Sequence, residues 1–305
     1  MDRNVDSVRE LGQLGLRLSE TEYMHPGHMG CAGCGAIHAM RYALKVLGKK
    51  TVVVVSASCW SGICASLKVP YTHCAFMSAG AWATGVRAGL DAVGDKETTV
   101  LAWAGDGGTF DIGIQSLSGA AERNENFIYI CNDNEAYMNT GIQRSSATPT
   151  GAWTTTTPSQ GTKRQAKKDI TEIMAAHRIP YVATATLGYP QDYLRKMEKA
   201  KATTGTRFIH VLSPCPTGWR FPPGMTVKLS RLAVQSRVMP LYEVENGTQY
   251  TLQRPKRTVP VGEYLRGQGR FSALTEKEVA AVQDNVDRWW KHLEERASSV
   301  EDLAW

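Results

Sequence analysis

Two sets of residues in this 305-residue chain have the types and spacing to do chemistry. The first is cysteine: Cys31-Ala32-Gly33-Cys34, followed far along the chain by Cys59 and Cys215. The second is a pair of turns, Gly105-Asp106-Gly107 and, about 28 residues after Asp106, the run Asn132-Asp133-Asn134-Glu135-Ala136. Four convergent thiolates can cage an iron–sulfur cluster even when distant in sequence. Glycines let backbone amides approach a phosphate chain closely, and a helix that follows presents its N-terminus to the charge. Asp106 and Asn134 offer side-chain oxygens and Ala136 a carbonyl, the hard donors that Mg²⁺ shares with a diphosphate.

Taken alone, the C-x-x-C also suits a zinc knuckle or a redox dithiol. Residues 26–30 before it do not read as a strand, which disfavours a thioredoxin-like site, and the absence of a second C-x-x-C disfavours a zinc ribbon. Gly30, Gly33 and Gly35 are placed to offer amide hydrogen bonds to sulfur. Cys64, Cys74 and Cys131 read as inert buried thiols, with Cys64 and Cys74 as substitutes for Cys59.

Such chemistry needs a scaffold that brings strand ends together. β-Branched and apolar runs predict strands at 51–56, 100–104, 127–131, 181–185 and 208–212. Amphipathic or small-residue segments predict helices at 36–47, 80–93, 111–122, 165–177 and 191–201, the first stopped by Gly48. This alternation predicts an α/β fold, a parallel sheet flanked by helices. Both cofactor turns leave the carboxyl ends of strands, where open α/β sheets bind ligands. Residues 140–162 are too long and polar for a plain connector and read as a functional loop. Beyond residue 222 the alternation weakens. A hairpin turning at Asn246-Gly247 and a helix at 275–298 read as a C-terminal arm. The chain therefore divides into a cofactor domain, 1–222, and an extension, 223–305, that packs on partner subunits.

Seven cysteines, an odd number, favour ligation over a disulfide framework, because no secretory signal is visible from Met1 to Asn4. The strongest apolar stretch, 51–57, is too short to cross a bilayer, so the expected location is cytoplasmic. The net charge of +6 fits a solvated basic face or a dock for an acidic partner. Nucleic-acid binding ranks last, since basic residues are not interleaved with aromatics.

Gly-Asp-Gly followed by roughly thirty residues and asparagine resembles the thiamine-diphosphate enzymes. The resemblance narrows with Pro26-Gly27-His28 leading into Cys31-Ala32-Gly33-Cys34-Gly35, the run Asn139-Thr140-Gly141-Ile142-Gln143-Arg144-Ser145, Thr148-Pro149, and Gly151-Ala152-Trp153 followed by Thr154 to Thr157 and Pro158. From about Met24 to Gly218 the chain is similar to the β subunit of 2-oxoacid:ferredoxin oxidoreductases, most of all the multi-subunit pyruvate type. The resemblance implies a thiamine-diphosphate-binding fold holding thiamine diphosphate, Mg²⁺ and a 4Fe-4S cluster. It maps the cluster ligands to Cys31, Cys34, Cys59 and Cys215, and the magnesium ligands to Asp106, Asn134 and the Ala136 carbonyl. Asn139 maps to an active-site amide, with Thr140 and Gly141 on the same loop and Gly105 and Gly107 at the diphosphate. It further implies that a partner subunit supplies the glutamate at the aminopyrimidine. Electrons from oxidative decarboxylation would pass singly to the cluster, through a ferredoxin-like cluster subunit, and on to ferredoxin. Pyruvate would use coenzyme A as acceptor; oxalate would yield only CO₂ without it.

His28-Met29 and Trp60-Ser61-Gly62-Ile63-Cys64 depart from the family pattern and bear on the substrate. His25 and His28 read as surface histidines or as a proton relay. Arg144 reads as a partner for a carboxylate or phosphate, or as a loop salt bridge. Two rival functions remain: a thiamine-diphosphate decarboxylase or carboligase without electron transfer, which would be colourless, and a non-enzymatic electron-transfer or zinc module, which would not bind thiamine diphosphate.

Overall fold

The computed structural model describes residues 8–11, 16–157 and 163–303. Met1 to Asn4, read above for a signal, and residues 158–162 of the polar loop lie outside the described residues. Val8–Leu11 (β1) and Leu16–Ser19 (β2) pair as a small antiparallel ribbon. The body is a nine-stranded sheet built from Thr51–Ser56 (β3), Tyr71–Cys74 (β4), Thr99–Gly105 (β5), Phe127–Asp133 (β6), Tyr181–Thr186 (β7), Thr206–Leu212 (β8), Leu241–Glu245 (β9), Gln249–Arg254 (β10) and Ala297–Asp302 (β11). Their order is β11-β10-β9-β7-β8-β6-β5-β3-β4. The six strands from β4 to β7 run parallel, and β9 joins β7 antiparallel.

The central strands are apolar on both faces because helices cover both. Val53 and Val55 enter the core beneath the helices Gly35–Leu47 and Pro190–Ala202, whereas Val54 enters the opposite core beneath Ala79–Ala92. Ile128 and Ile130 alternate in the same way with Phe127, Tyr129 and Cys131. Gly48 ends the first helix at φ 80°, a conformation that costs glycine nothing. No helix among the described residues is long and apolar enough to cross a membrane.

Three expectations change. The helix expected at 111–122 begins earlier, with a wide turn over Gly107–Asp111, and becomes regular only at Ile114–Glu122. That turn brings the Gly108 carbonyl to 2.0 Å from where a Cβ on residue 113 would lie, so only glycine fits there. The helix expected at 165–177 spans only Ile170–Ala176, capped by Asp169. Residues 167 and 168 are instead drawn inward, Lys167 to Asp133 and Glu135, and the Lys168 amide to the Ser146 carbonyl. The expected C-terminal arm packs on the chain's own core: β9, β10 and β11 extend the sheet, and Val261, Tyr264 and Phe271 share a core with Leu212 and Trp219. The sheet therefore runs through the division expected at residue 222.

One buried charge ties this added edge to the older sheet. Glu243 on β9 accepts from Tyr181 Oη at 2.6 Å, from Gln253 Nε2 at 3.1 Å and from Arg195, and pairs with Lys199 at 3.2 Å. Burial works against its charge, but Lys196, Tyr181 and Arg195 hold its pKa at about 2. A carboxylate with a folded pKa below its unfolded one contributes stability that is full above about pH 4.5 and is lost as pH falls toward 2. The gap corresponds to on the order of 3 kcal/mol. Glu243→Gln is therefore expected to lower stability at pH 7 by about that amount and to flatten the acid limb below about pH 4.5, as read by denaturant titrations across pH.

Candidate active site

The chain leaves β3 for β4 on one side and returns to β5 on the other, so β3 and β5 flank a topological switch point. Segments from the carboxyl ends of β3, β5 and β6 meet there around a cavity of about 390 Å³. Ala57, Ser58 and Cys59 line it from β3, Gly105, Asp106 and Gly107 from β5, and Asn134, Ala136, Asn139 and Thr140 from the segment after β6. Of the two glycines only Gly107 is sterically required. A Cβ there would lie 2.2 Å from the Tyr137 ring, whose hydroxyl donates to Asp111 Oδ2 at 2.7 Å. Tyr137 thus lies across the turn, tilted against Phe76.

Asp106 is buried. Ser145 Oγ donates to its Oδ2 at 2.5 Å, and the Asn134 amide N–H approaches its Oδ1 at 3.4 Å. Burial, reinforced by Asp133, pushes the Asp106 carboxyl well above the usual range, and the Ser145 hydroxyl only partly offsets this. The Asn134 side-chain end stands 3.0 Å from Asp106 Oδ1 and 2.9 Å from the Ala136 carbonyl. Turned one way, its amide nitrogen donates to both; turned the other, its oxygen completes a three-oxygen pocket. That second arrangement fits a hard cation such as Mg²⁺ and is unfavourable without one. The residues present therefore fit the group expected from the sequence.

The four cysteines expected as cluster ligands line one further cavity of about 260 Å³. Cys31 is exposed, and Cys34, Cys59 and Cys215 are partly buried. Cys64, Cys74 and Cys131 are buried and lie outside this lining. Burial, then the neighbouring Cys215, Cys34 and Cys31, push Cys59 up to about 12. Burial and the charges of Cys34 and Cys31 push Cys215 up to about 11. Thiols that raise one another in this way become thiolates only around a strongly cationic centre. Among the described residues no three His, Cys, Asp or Glu side chains converge on a single metal ion. All four thiols nonetheless open on the same cavity, as ligation of one shared centre requires.

The amides reaching sulfur are not those expected. Gly30 N–H donates to His28 Nδ1 and Gly35 N–H to the Pro214 carbonyl. Cys34 is approached instead by the amides of Ile37 and Ala36, and Cys215 by that of Gly218 at 3.4 Å. Gly33 serves the turn: at φ 71° its Cα faces the Pro223 carbonyl, 2.4 Å from where a Cβ would lie.

The two cavities share a wall made of Cys59, Asn134, Met138 and Asn139. Asn139 is exposed and faces both spaces. Thr140 donates to Gln143 Oε1 at 2.6 Å. Gly141, at φ 118°, lines neither cavity and shapes the loop, its carbonyl accepting from Thr155 Oγ1. His25, His28 and Arg144 are exposed and outside both linings, whereas Met29 and Ile63 line the cysteine cavity. Ser145 lay within the Asn139–Ser145 run but carried no assigned role. Glu135, Lys167 and Arg270, which brace the Asn134 turn from behind, had no local signal beyond the polarity of residues 132–135.

A family model described as "Thiamine pyrophosphate enzyme, C-terminal TPP binding domain" matches residues 56–211. The chain is 52% identical over 281 residues to pyruvate synthase subunit PorB of Methanothermobacter thermautotrophicus, covering 89% of this chain and 97% of that protein. It is 47% identical over 294 residues to ketoisovalerate oxidoreductase subunit VorB of Pyrococcus horikoshii, covering 90% and 94%. Among solved structures, the 2-oxoglutarate:ferredoxin oxidoreductase from Magnetococcus marinus, with 2-oxoglutarate, coenzyme A and succinyl-CoA bound, superposes with a TM-score of 0.57 at 24% identity, covering 68% of this chain and 79% of that one.

Proposed function

Because this chain belongs to the β subunits of the thiamine-diphosphate-dependent 2-oxoacid:ferredoxin oxidoreductases, we propose that it binds Mg²⁺ at Asp106, Asn134 and the Ala136 carbonyl and a 4Fe-4S cluster at Cys31, Cys34, Cys59 and Cys215. We further propose that it oxidatively decarboxylates pyruvate with coenzyme A as acceptor. The observation that carries the reading is the shared wall: the diphosphate cavity and the cysteine cavity meet at Cys59, Asn134, Met138 and Asn139. When bound, thiamine diphosphate supplies the electron sink for decarboxylation and the cluster takes up electrons singly.

The chain's own residues position and exclude. Gly107 lets Tyr137 and the diphosphate turn approach closely. Ser145 holds one oxygen of Asp106 and leaves the other for the metal. The exposed Asn139 amide stands where it can donate to the carbonyl oxygen of a bound 2-oxoacid, fixing its orientation. Phe76 and Met138 give the cavity its apolar lining, which keeps water from the reacting carbon. The aminopyrimidine side and its glutamate come from a partner subunit, and a ferredoxin-like cluster subunit carries electrons to ferredoxin. A branched 2-oxoacid is the second reading, supported by the identity to the ketoisovalerate subunit.

The assembled complex, purified anaerobically, is expected to reduce a viologen dye with pyruvate at least ten-fold faster than with 2-oxoisovalerate, oxalate or 2-oxoglutarate, and only when coenzyme A is present. Faster reduction with 2-oxoisovalerate would select the second reading. Decarboxylation of pyruvate without any dye reduction would overturn the electron-transfer function.

A further inference from the structure

The turn that carries the Asn134 side chain and the Ala136 carbonyl to one point bends at Glu135, which sits at φ 65°. Side chains other than glycine rarely adopt that conformation, and such residues persist where their surroundings over-determine them. Glu135 is buried and bound at every polar group. Its N–H donates to Asp133 Oδ1 at 2.9 Å, and its carbonyl accepts from Thr148 Oγ1 at 2.7 Å. Its carboxylate accepts from Lys167 Nζ at 2.7 Å on one oxygen and from Arg270 at 2.5 Å on the other. The neighbouring Asn134 carbonyl accepts from Trp219 Nε1 at 2.8 Å. This bracing leaves the Asn134 side chain and the Ala136 carbonyl to meet only each other, with the Asn134 side chain also reaching Asp106 Oδ1.

Arg270 comes from the C-terminal segment and is itself fixed. Its guanidinium lies 3.8 Å from the centre of the Trp219 ring, and its Nε donates to Gln268 Oε1 at 2.9 Å. A flat guanidinium can stack on indole and still donate from its edge to a carboxylate; the compact ammonium of lysine can reach the carboxylate but lacks the plane that stacks.

We propose that Arg270, with Lys167, is a positioning clamp on Glu135 that presets the metal-binding turn, so that the C-terminal segment governs how tightly the diphosphate cofactor and its metal are held. The inference rests on the magnesium reading above. The clamp touches neither substrate nor metal. Its loss acts on the free site, which must then be ordered at the expense of binding.

The test titrates the assembled complex, stripped of cofactor, with Mn²⁺ in the presence of thiamine diphosphate, using the EPR signal of free Mn²⁺. Arg270→Met is expected to weaken Mn²⁺ binding at least ten-fold and Arg270→Lys at least three-fold. In both, saturating cofactor should restore kcat to within two-fold of the parent, a separation that general damage to the fold would not give. If Arg270→Met does not assemble, Arg270→Lys decides by the same two readings. Parent-like Mn²⁺ binding in the decisive variant would overturn the clamp while leaving the metal site standing. Failure of the parent complex to bind Mn²⁺ with thiamine diphosphate would overturn the metal site and the clamp with it.

Discussion

Asp106→Asn is expected to abolish cofactor retention while leaving the empty chain no less stable than the parent. Asp106 is the one carboxylate of the three-oxygen pocket, and a neutral amide in its place gives a divalent cation no charge to bind. Affinity for Mg²⁺ and thiamine diphosphate should fall at least 100-fold. The stability half of the prediction follows from the same burial. Without a cation the Asp106 carboxyl accepts from Ser145 and Asn134, but its burial and the neighbouring Asp133 outweigh these donors, so its charge is a burden on the empty site. Thermal melting with and without cofactor reads both halves. A parent site at a hundred-fold excess over Kd gains about 2.7 kcal/mol from the ligand, and the variant should gain none. A parent-like cofactor-induced shift in Asp106→Asn would remove Asp106 from the metal site.

Cys59→Ala should produce the opposite dissociation. Cys59 faces both cavities, but its thiol belongs to the cysteine set. The assembled variant is expected to keep thiamine diphosphate within a few-fold of the parent affinity. Iron and acid-labile sulfide in this subunit should fall below a tenth of the parent level, and dye reduction by a 2-oxoacid at least 100-fold. Elemental analysis and EPR of the reduced complex check this, once the clusters of the other subunits are counted separately. Zinc at parent stoichiometry with no iron in the parent complex would contradict the cluster assignment.

The parts of this molecule legible in its sequence are those governed by local pattern. Val53, Val54 and Val55 alternate between two apolar cores, and a run of β-branched residues announces such a strand. Gly48 stops a helix, and Asn246-Gly247, at φ 52° and 72°, turns a hairpin for the reason that makes the pair recognisable. Thr275 caps the long helix Glu276–Arg296 with a full capping box at Glu278. What escaped depends on distant partners. The hairpin at Asn246-Gly247 reads as part of an arm, yet Glu243 on its first strand is buried because Tyr181 and Arg195 meet it from other elements. Residues 165–169 carry no helix breaker and are kept out of the helix by partners elsewhere in the chain, Asp133 for Lys167 and the Ser146 carbonyl for the Lys168 amide. The cysteines and the Asp106 turn could be found by type and spacing. Arg270, which reaches Glu135 from a segment with no chemistry of its own, could not.

The wall at Met138 has a cost that catalysis does not reveal. A carbon added at Gly218 would come within 2.2 Å of the Met138 sulfur, so there is no slack on that side. Thioethers are readily converted to sulfoxides, which are larger and polar. An oxygen atom gained there would press on the loop after β8, which carries Cys215, and on the segment after β6, which carries Asn134 and the Ala136 carbonyl. One oxidative lesion at Met138 would thus displace both sides of the shared wall at once.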